Sequence, residues 1–210
     1  MPDPPDPKAR MHPYAQRHKP RPAQGIPAGD TRASRRTADQ PWYAELGVTS
    51  NFTFLTGASH PDEFVQQADA LGYAALAVTD HNSLAGVVRG HVAAKETGVR
   101  FLVGCRLIFA EPTGLQLLVY PSDRRGYGNL CQLLTTGKRR AAKGACHLTL
   151  ADLADYQAGL LAVVMPPDDR AGLSAPTFDA LRQLFDDDRL SLALTRLYGP
   201  EAARREARVC

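Results

Sequence analysis

Three largely apolar runs set the terms for this chain: AALAVT (74–79), RFLVGCRLIFA (100–110), whose polar residues are Arg100 and Arg106, and GLLAVVMP (159–166). A strand with one wet face alternates polar and apolar residues. These runs do not, so each is expected to be a strand covered on both faces. Helix punctuation lies between them. SHPDEFVQQADALG offers Ser59 or His60 as N-cap, Pro61 and two acids in the first turn, and Phe64, Ala68 and Leu71 on one face. Gly72 then stands where a left-handed residue closes a helix. Ser83 is placed to cap LAGVVRGHVAAKET, which Gly98 would end, and Asp123 and Thr149 are placed to cap two more helices.

YAELGVT (43–49) reads as a further strand, and LQLLVYP after the Glu111–Gly114 turn reads as the return of a hairpin. A helix around Phe178–Phe185 and a strand around Leu190–Leu197 complete the series. Strand–helix–strand units with short connections predict an α/β fold, either a barrel or doubly wound. In both architectures ligands bind at the C-terminal ends of the strands. One such end carries Thr79, Asp80, His81 and Asn82. An imidazole with a carboxylate beside it suits a metal ligand and its orienting partner; spacing alone favours the plainer reading, a helix cap and a loop histidine.

The first forty residues differ from the rest. They hold eight of the sixteen prolines and almost no large aliphatic side chains. Such a segment has little apolar surface to bury, so residues 1–40 are expected to be a disordered Pro/Arg-rich tail and 41–210 the folded domain. A net charge of +3 neither demands nor excludes a nucleic-acid partner. The basic run GKRRAAKG (137–144) has no aromatics interleaved with it, and reads as a solvated surface rather than a nucleic-acid site. Cys105, Cys131, Cys146 and Cys210 form no C-x-x-C pair and no secretory signal precedes them, which predicts reduced thiols in the cytoplasm. No apolar stretch approaches the ~18 residues of a membrane span.

Four ordered blocks carry a family resemblance: TSNFTFLTGASHPDEFV (49–65), ALAVTDHNSLAGVVRGHVAAKETG (75–98), FLVGCRL (101–107) and LCQLLTTGKRRAAKG (130–144). They resemble the N-terminal PHP (polymerase and histidinol phosphatase) domain of bacterial DNA polymerase III alpha-type enzymes, closest to the error-prone branch. The resemblance implies a (βα)7 barrel-like domain, here incomplete at its C-terminal end as in a truncated or split reading frame. It also implies a parent polymerase that uses Mg²⁺ in translesion synthesis and repair. DNA, other mutasome or replication proteins and a separately encoded polymerase portion would be its partners, without a membrane.

Active members of such a family bind Zn²⁺ or Mn²⁺ through an H-x-H motif, a loop acid, a T-D-H motif and the Glu of a G-x-E motif. By resemblance the H-x-H motif falls on Gly47 and Thr49, the loop acid on Thr56 and the glutamate on Arg106, while Asp80 and His81 match. Glycine offers no donor atom, threonine is a poor zinc ligand, and arginine brings a fixed positive charge. Asp80 and His81 are therefore expected to be remnants of a lost cluster, with no cofactor and no catalysis in this chain alone. His60, His91 and His147 lie outside the ligand pattern, as helix cap, helix surface and loop. An ion pair between Asp80 and Arg106 is expected to fill the space of the metal. The alternative is a metal-dependent PHP phosphoesterase or 3′–5′ exonuclease.

Overall fold

In the computed structural model the structure describes residues 43–166, 174–185 and 188–194. The 1–40 tail, the end of the Leu190–Leu197 strand and the terminal PEAARREARVC stretch lie outside them. The strands are β1 (Ala44–Val48), β2 (Ala75–Val78), β3 (Arg100–Val103), β4 (Cys105–Ile108), β5 (Gln116–Pro121), β6 (Leu160–Met165) and β7 (Leu190–Leu192). The helices are α1 (Pro61–Ala70), α2 (Val87–Thr97), α3 (Arg124–Arg140), α4 (Leu150–Tyr156) and α5 (Ala175–Leu184). The alternation expected from the apolar runs is present, and the fold is α/β.

The strands do not form one closed barrel among the described residues. They make a parallel sheet ordered β1-β2-β3 and a mixed sheet ordered β4-β5-β6-β7. β4, β5 and β6 pair antiparallel, with the expected hairpin between the first two, and β7 returns parallel to β6. The sheets meet where β3 runs into β4 through Gly104. A Cβ at that position would come within 2.7 Å of Thr79 Cγ2 and 2.9 Å of Tyr120 Cε1. Real Cβ contacts are not that short, so a glycine lets the strand bend between two neighbours. Past the bend a single parallel bridge, His81 to Arg106, keeps the end of β2 against β4. Tyr120 adds a long-range tie from β5, donating its hydroxyl to the Leu46 carbonyl at 2.6 Å.

Local signals were largely obeyed. His60 is the N-cap of α1, and its N–H donates to Glu63 Oε2 at 2.7 Å, the reciprocal half of a capping box. Gly72 and Gly98 take the left-handed conformation after α1 and α2, with φ of 69° and 75°. Asp123 accepts from Gly126 N at the start of α3, and Thr149 caps α4. The second helix departs from expectation. It starts at Val87 behind Gly86, and the Ser83 hydroxyl accepts only from Ala85 N, in a turn before the helix. A Cβ on Gly86 would lie 2.8 Å from Pro61 Cγ and 3.1 Å from Asp80 Oδ2. The helix start is thus packed directly onto the strand end.

Two apolar clusters support this frame. Leu107, Leu115, Leu117, Leu130, Leu133, Leu148, Leu153, Leu160 and Leu181, with seven further buried residues, fill the space between the mixed sheet and its helices. Val65, Ala68, Leu76, Ala93, Ala94 and Val99 join α1 and α2 to the parallel sheet. Full burial of a leucine side chain contributes roughly 1.5–3 kcal/mol, so the first cluster dominates stability.

Candidate functional site

The strand end after β2 is built from four consecutive polar residues, all tied to neighbouring segments. Thr79 is fully buried and donates its hydroxyl to the Val48 carbonyl at the end of β1. Asp80 is 1% exposed. Its Oδ1 accepts from Ser50 N at 2.8 Å and Thr53 Oγ1 at 2.7 Å, and its Oδ2 accepts from Ser50 Oγ at 2.7 Å. The same Thr53 hydroxyl accepts from His81 N at 3.0 Å. Asn82, in the left-handed region at φ 46°, uses its side chain as a strand would. Its Nδ2 donates to the Ile108 carbonyl and its Oδ1 accepts from Ile108 N.

Asp80 and Arg106 were expected to form an ion pair, and none joins them among the described residues. Strand geometry gives the reason. Arg106 N donates to the Asp80 carbonyl and Asn82 N donates to the Arg106 carbonyl, so Arg106 is in register with His81. Successive residues of a strand point to opposite faces. The guanidinium therefore shares a face with the imidazole, and the carboxylate faces the other way, into the 50–53 loop. Arg106 Nε and His81 Nε2 are both buried without a hydrogen-bond partner. Burial lowers the His81 pKa first, the Arg106 charge lowers it further, and Asp80 opposes both. The ring is held toward its neutral form.

The other candidate positions are dispersed. Thr56 is exposed and, with His81, lines a cleft of about 640 Å³. Gly47 and Thr49 line a separate hollow of about 420 Å³ bordered by Phe64, Leu71 and Tyr73. Among the described residues no three His, Cys, Asp or Glu side chains are gathered where they could hold a metal ion. His60 Nδ1 lies 2.7 Å from Asn51 Nδ2 and 3.1 Å from Arg89 Nη1; the guanidinium can only donate, so this nitrogen is an acceptor. Arg89 Nε also lies 2.7 Å from Asp62 Oδ1. His91 is exposed on α2, and His147 Nε2 is 3.9 Å from Glu111 Oε1 in a loop.

Sequence reasoning missed Ser50 and Thr53, and placed Asn82 at the strand end without its role. The signal available was a serine and a threonine set among the aromatics of SNFTF, where a polar residue is retained only if it has a partner.

The PHP domain family matches residues 45–198. The chain belongs to that family. An error-prone DNA polymerase of Rhodopseudomonas palustris (strain BisB5) is 44% identical over 174 residues, which cover 80% of this chain and 16% of the relative. A second, from strain BisA53, is 56% identical over 117 residues, 54% of this chain and 10% of the relative. A third, from Caulobacter vibrioides, is 51% identical over 127 residues, 60% of this chain and 12% of the relative. The chain therefore spans about a sixth or less of the curated relatives it matches, over the PHP domain of that polymerase family. In fold this PHP domain is similar to a structure assigned as a metal-dependent phosphoesterase of Bifidobacterium adolescentis. The TM-score is 0.57 at 16% identity, over 81% of this chain and 83% of that one. No described helix is long and apolar enough to cross a membrane.

Proposed function

We propose that this PHP domain serves an error-prone DNA polymerase as a scaffold and interaction surface, without metal-dependent hydrolysis of its own. The observation that carries the reading is the strand end itself. Asp80 spends its carboxylate on three internal donors, and the side chain beside His81 is a guanidinium. A zinc site takes at least three protein ligands, and a fixed positive charge opposes any cation in a half-buried cleft. The residues present do not fit the zinc or manganese cluster of active relatives. On this reading Asp80 and His81 are vestigial ligands, Gly47, Thr49, Thr56 and Arg106 mark the lost ones, and the domain has no resident cofactor.

The polymerase similarity supports work on DNA in the cytoplasm, beside other replication and mutasome proteins. The deoxynucleotide chemistry and its Mg²⁺ belong to regions of the relatives that this chain does not match, with a separately encoded polymerase portion as one source. Metal analysis of protein purified without chelator, with hydrolysis of a chromogenic phosphoester and of a labelled DNA 3′ end, tests the reading. We expect less than one metal per ten chains and hydrolysis at background. Stoichiometric metal that is lost in His81→Ala would establish the alternative, a phosphoesterase or 3′–5′ exonuclease.

A further inference from the structure

The cleft beside His81 is walled by two segments far apart in sequence. One is the loop bearing Phe52, Thr53, Phe54 and Thr56, and the other is the end of α3 with the turn after it, which supply Lys138 and Lys143. The basic run lacks aromatics in its own sequence, but the fold brings two phenylalanines to it from some eighty residues upstream. Phe54 is 88% exposed, and Leu55 after it is fully exposed at a φ of 61°. A branched side chain avoids that backbone region unless the surrounding structure imposes it, so the loop displays its apolar groups at a cost.

The charge on the opposite wall is unbalanced. Both lysines are exposed, neither has an ion-pair partner among the described residues, and no acid is among the residues lining the cleft. Asp80, next to His81 in the chain, is turned inward onto Ser50 and Thr53 and adds no acid to the lining. An aromatic face opposite two free ammonium groups matches a ligand with alternating flat rings and anions. In a single strand the base faces are open, whereas in a duplex they are stacked away and a protein meets only phosphates, sugars and base edges. The volume, about 640 Å³, is on the scale of a site for one or two nucleotides.

We propose that this cleft binds single-stranded nucleic acid, with a base stacked on Phe54 and the adjoining phosphates held by Lys138 and Lys143. No bond is made or broken. The assignment goes beyond the scaffold reading and stands on the cleft alone.

The test is fluorescence anisotropy of a labelled dT12 oligonucleotide with the full chain in EDTA, across a salt series. Phe54→Ala is expected to weaken binding by about 5- to 150-fold with an unchanged salt slope, the range for loss of one base stack. Lys138→Ala and Lys143→Ala should each lower the log–log salt slope by about 0.7, one phosphate contact on a single strand. Phe54→Trp should retain affinity. Because Phe54 is so exposed, the variants should melt as the parent does, and the melt is recorded alongside. A parallel U12 arm separates DNA from RNA as the source, and dependence on the same three residues with either strand supports the assignment. The proposal is overturned by affinity that ignores Phe54→Ala, by equal Phe54-independent binding of a 12-base-pair duplex, or by binding that appears only on adding Mn²⁺.

Discussion

Around β4–β6, sixteen buried apolar residues pack together, ten of them leucine; around β1–β3 only six do, and a single leucine is among them. Buried polar side chains run the other way. Among the described residues Ser50, Thr53, Asp62, Thr79 and Asp80 belong to the first half of the domain, and only Asp152 and Thr177 to the second. The mixed sheet is therefore held by volume, and the strand-end region by hydrogen bonds whose every partner must be present. Volume tolerates chemical drift, because one apolar side chain resembles another. A bonded polar group does not, because deleting one partner strands the others. A site that has exchanged metal ligands for internal hydrogen bonds would look like the second kind of region.

The largest effect should come from the packed half. Leu117 is fully buried in β5, between β4 and β6. Leu117→Ala should cost about 2–5 kcal/mol, read as a lower urea midpoint at an unchanged slope. In the smaller cluster Val65 is equally buried. Val65→Ala removes two methyl groups there and should cost roughly 2 kcal/mol. If the two variants lose the same stability, the contrast in packing has no energetic content.

Asp80 breaks or sharpens the other side of the comparison. Asp80→Ala leaves Ser50 N, Ser50 Oγ and Thr53 Oγ1 without their acceptor, and roughly 3 kcal/mol is expected to be lost. Asp80→Asn keeps one oxygen for Ser50 N and Thr53 Oγ1, and the Ser50 hydroxyl can turn to accept from the new amide. About 1 kcal/mol is expected for it. A metal ligand behaves differently, since removing it relieves charge repulsion in the metal-free protein. A urea midpoint that rises in Asp80→Ala would show that this carboxylate is not the structural acceptor described above.

Much of this architecture was legible, and the reason differs between elements. The run at 74–79 is a strand buried on both faces and leaves no polar trace; the run at 159–166 is also a strand, but only one of its faces is buried and Leu161 on the other is 44% exposed, against expectation. The caps at His60, Asp123 and Thr149 are one-residue chemistry. The break into two sheets at Gly104 was not legible. It depends on Thr79 and Tyr120 arriving from separate strands, and neither is near in sequence. The Asp80–Arg106 pair was misjudged for a similar reason. Proximity of strand ends could be read from the order of elements, but the face of each side chain depends on a one-residue register. The aromatic wall of the cleft was not legible either, because Phe52 and Phe54 reach the basic run only through the fold, from a loop far upstream.

The smallest effect concerns Asp152, a buried carboxylate of the leucine-rich half that carries an ion pair. Asp152 accepts from Arg140 Nη1 and Nη2, both at 2.8 Å, and from Thr149 N and Oγ1, both at 2.9 Å. The Arg140 hydrogen bonds hold its carboxyl below the usual carboxylate value; partial burial opposes them and the Thr149 donors assist. A carboxyl whose folded pKa is depressed contributes stability that is complete above the unfolded value, near 4, and is lost as pH falls through the lower folded one. The gap in urea midpoint between the parent and Asp152→Asn should therefore hold steady from pH 7 to about 5 and close toward pH 3. It should also shrink at 1 M salt, because Arg140 is 44% exposed and its charge is open to screening. A gap that stays constant at pH 3 would assign Asp152 the role of a neutral cap for α4. The second half would then hold no charge-dependent contact at this site, and the contrast with the strand-end region would be sharper than the hydrogen bonds alone indicate.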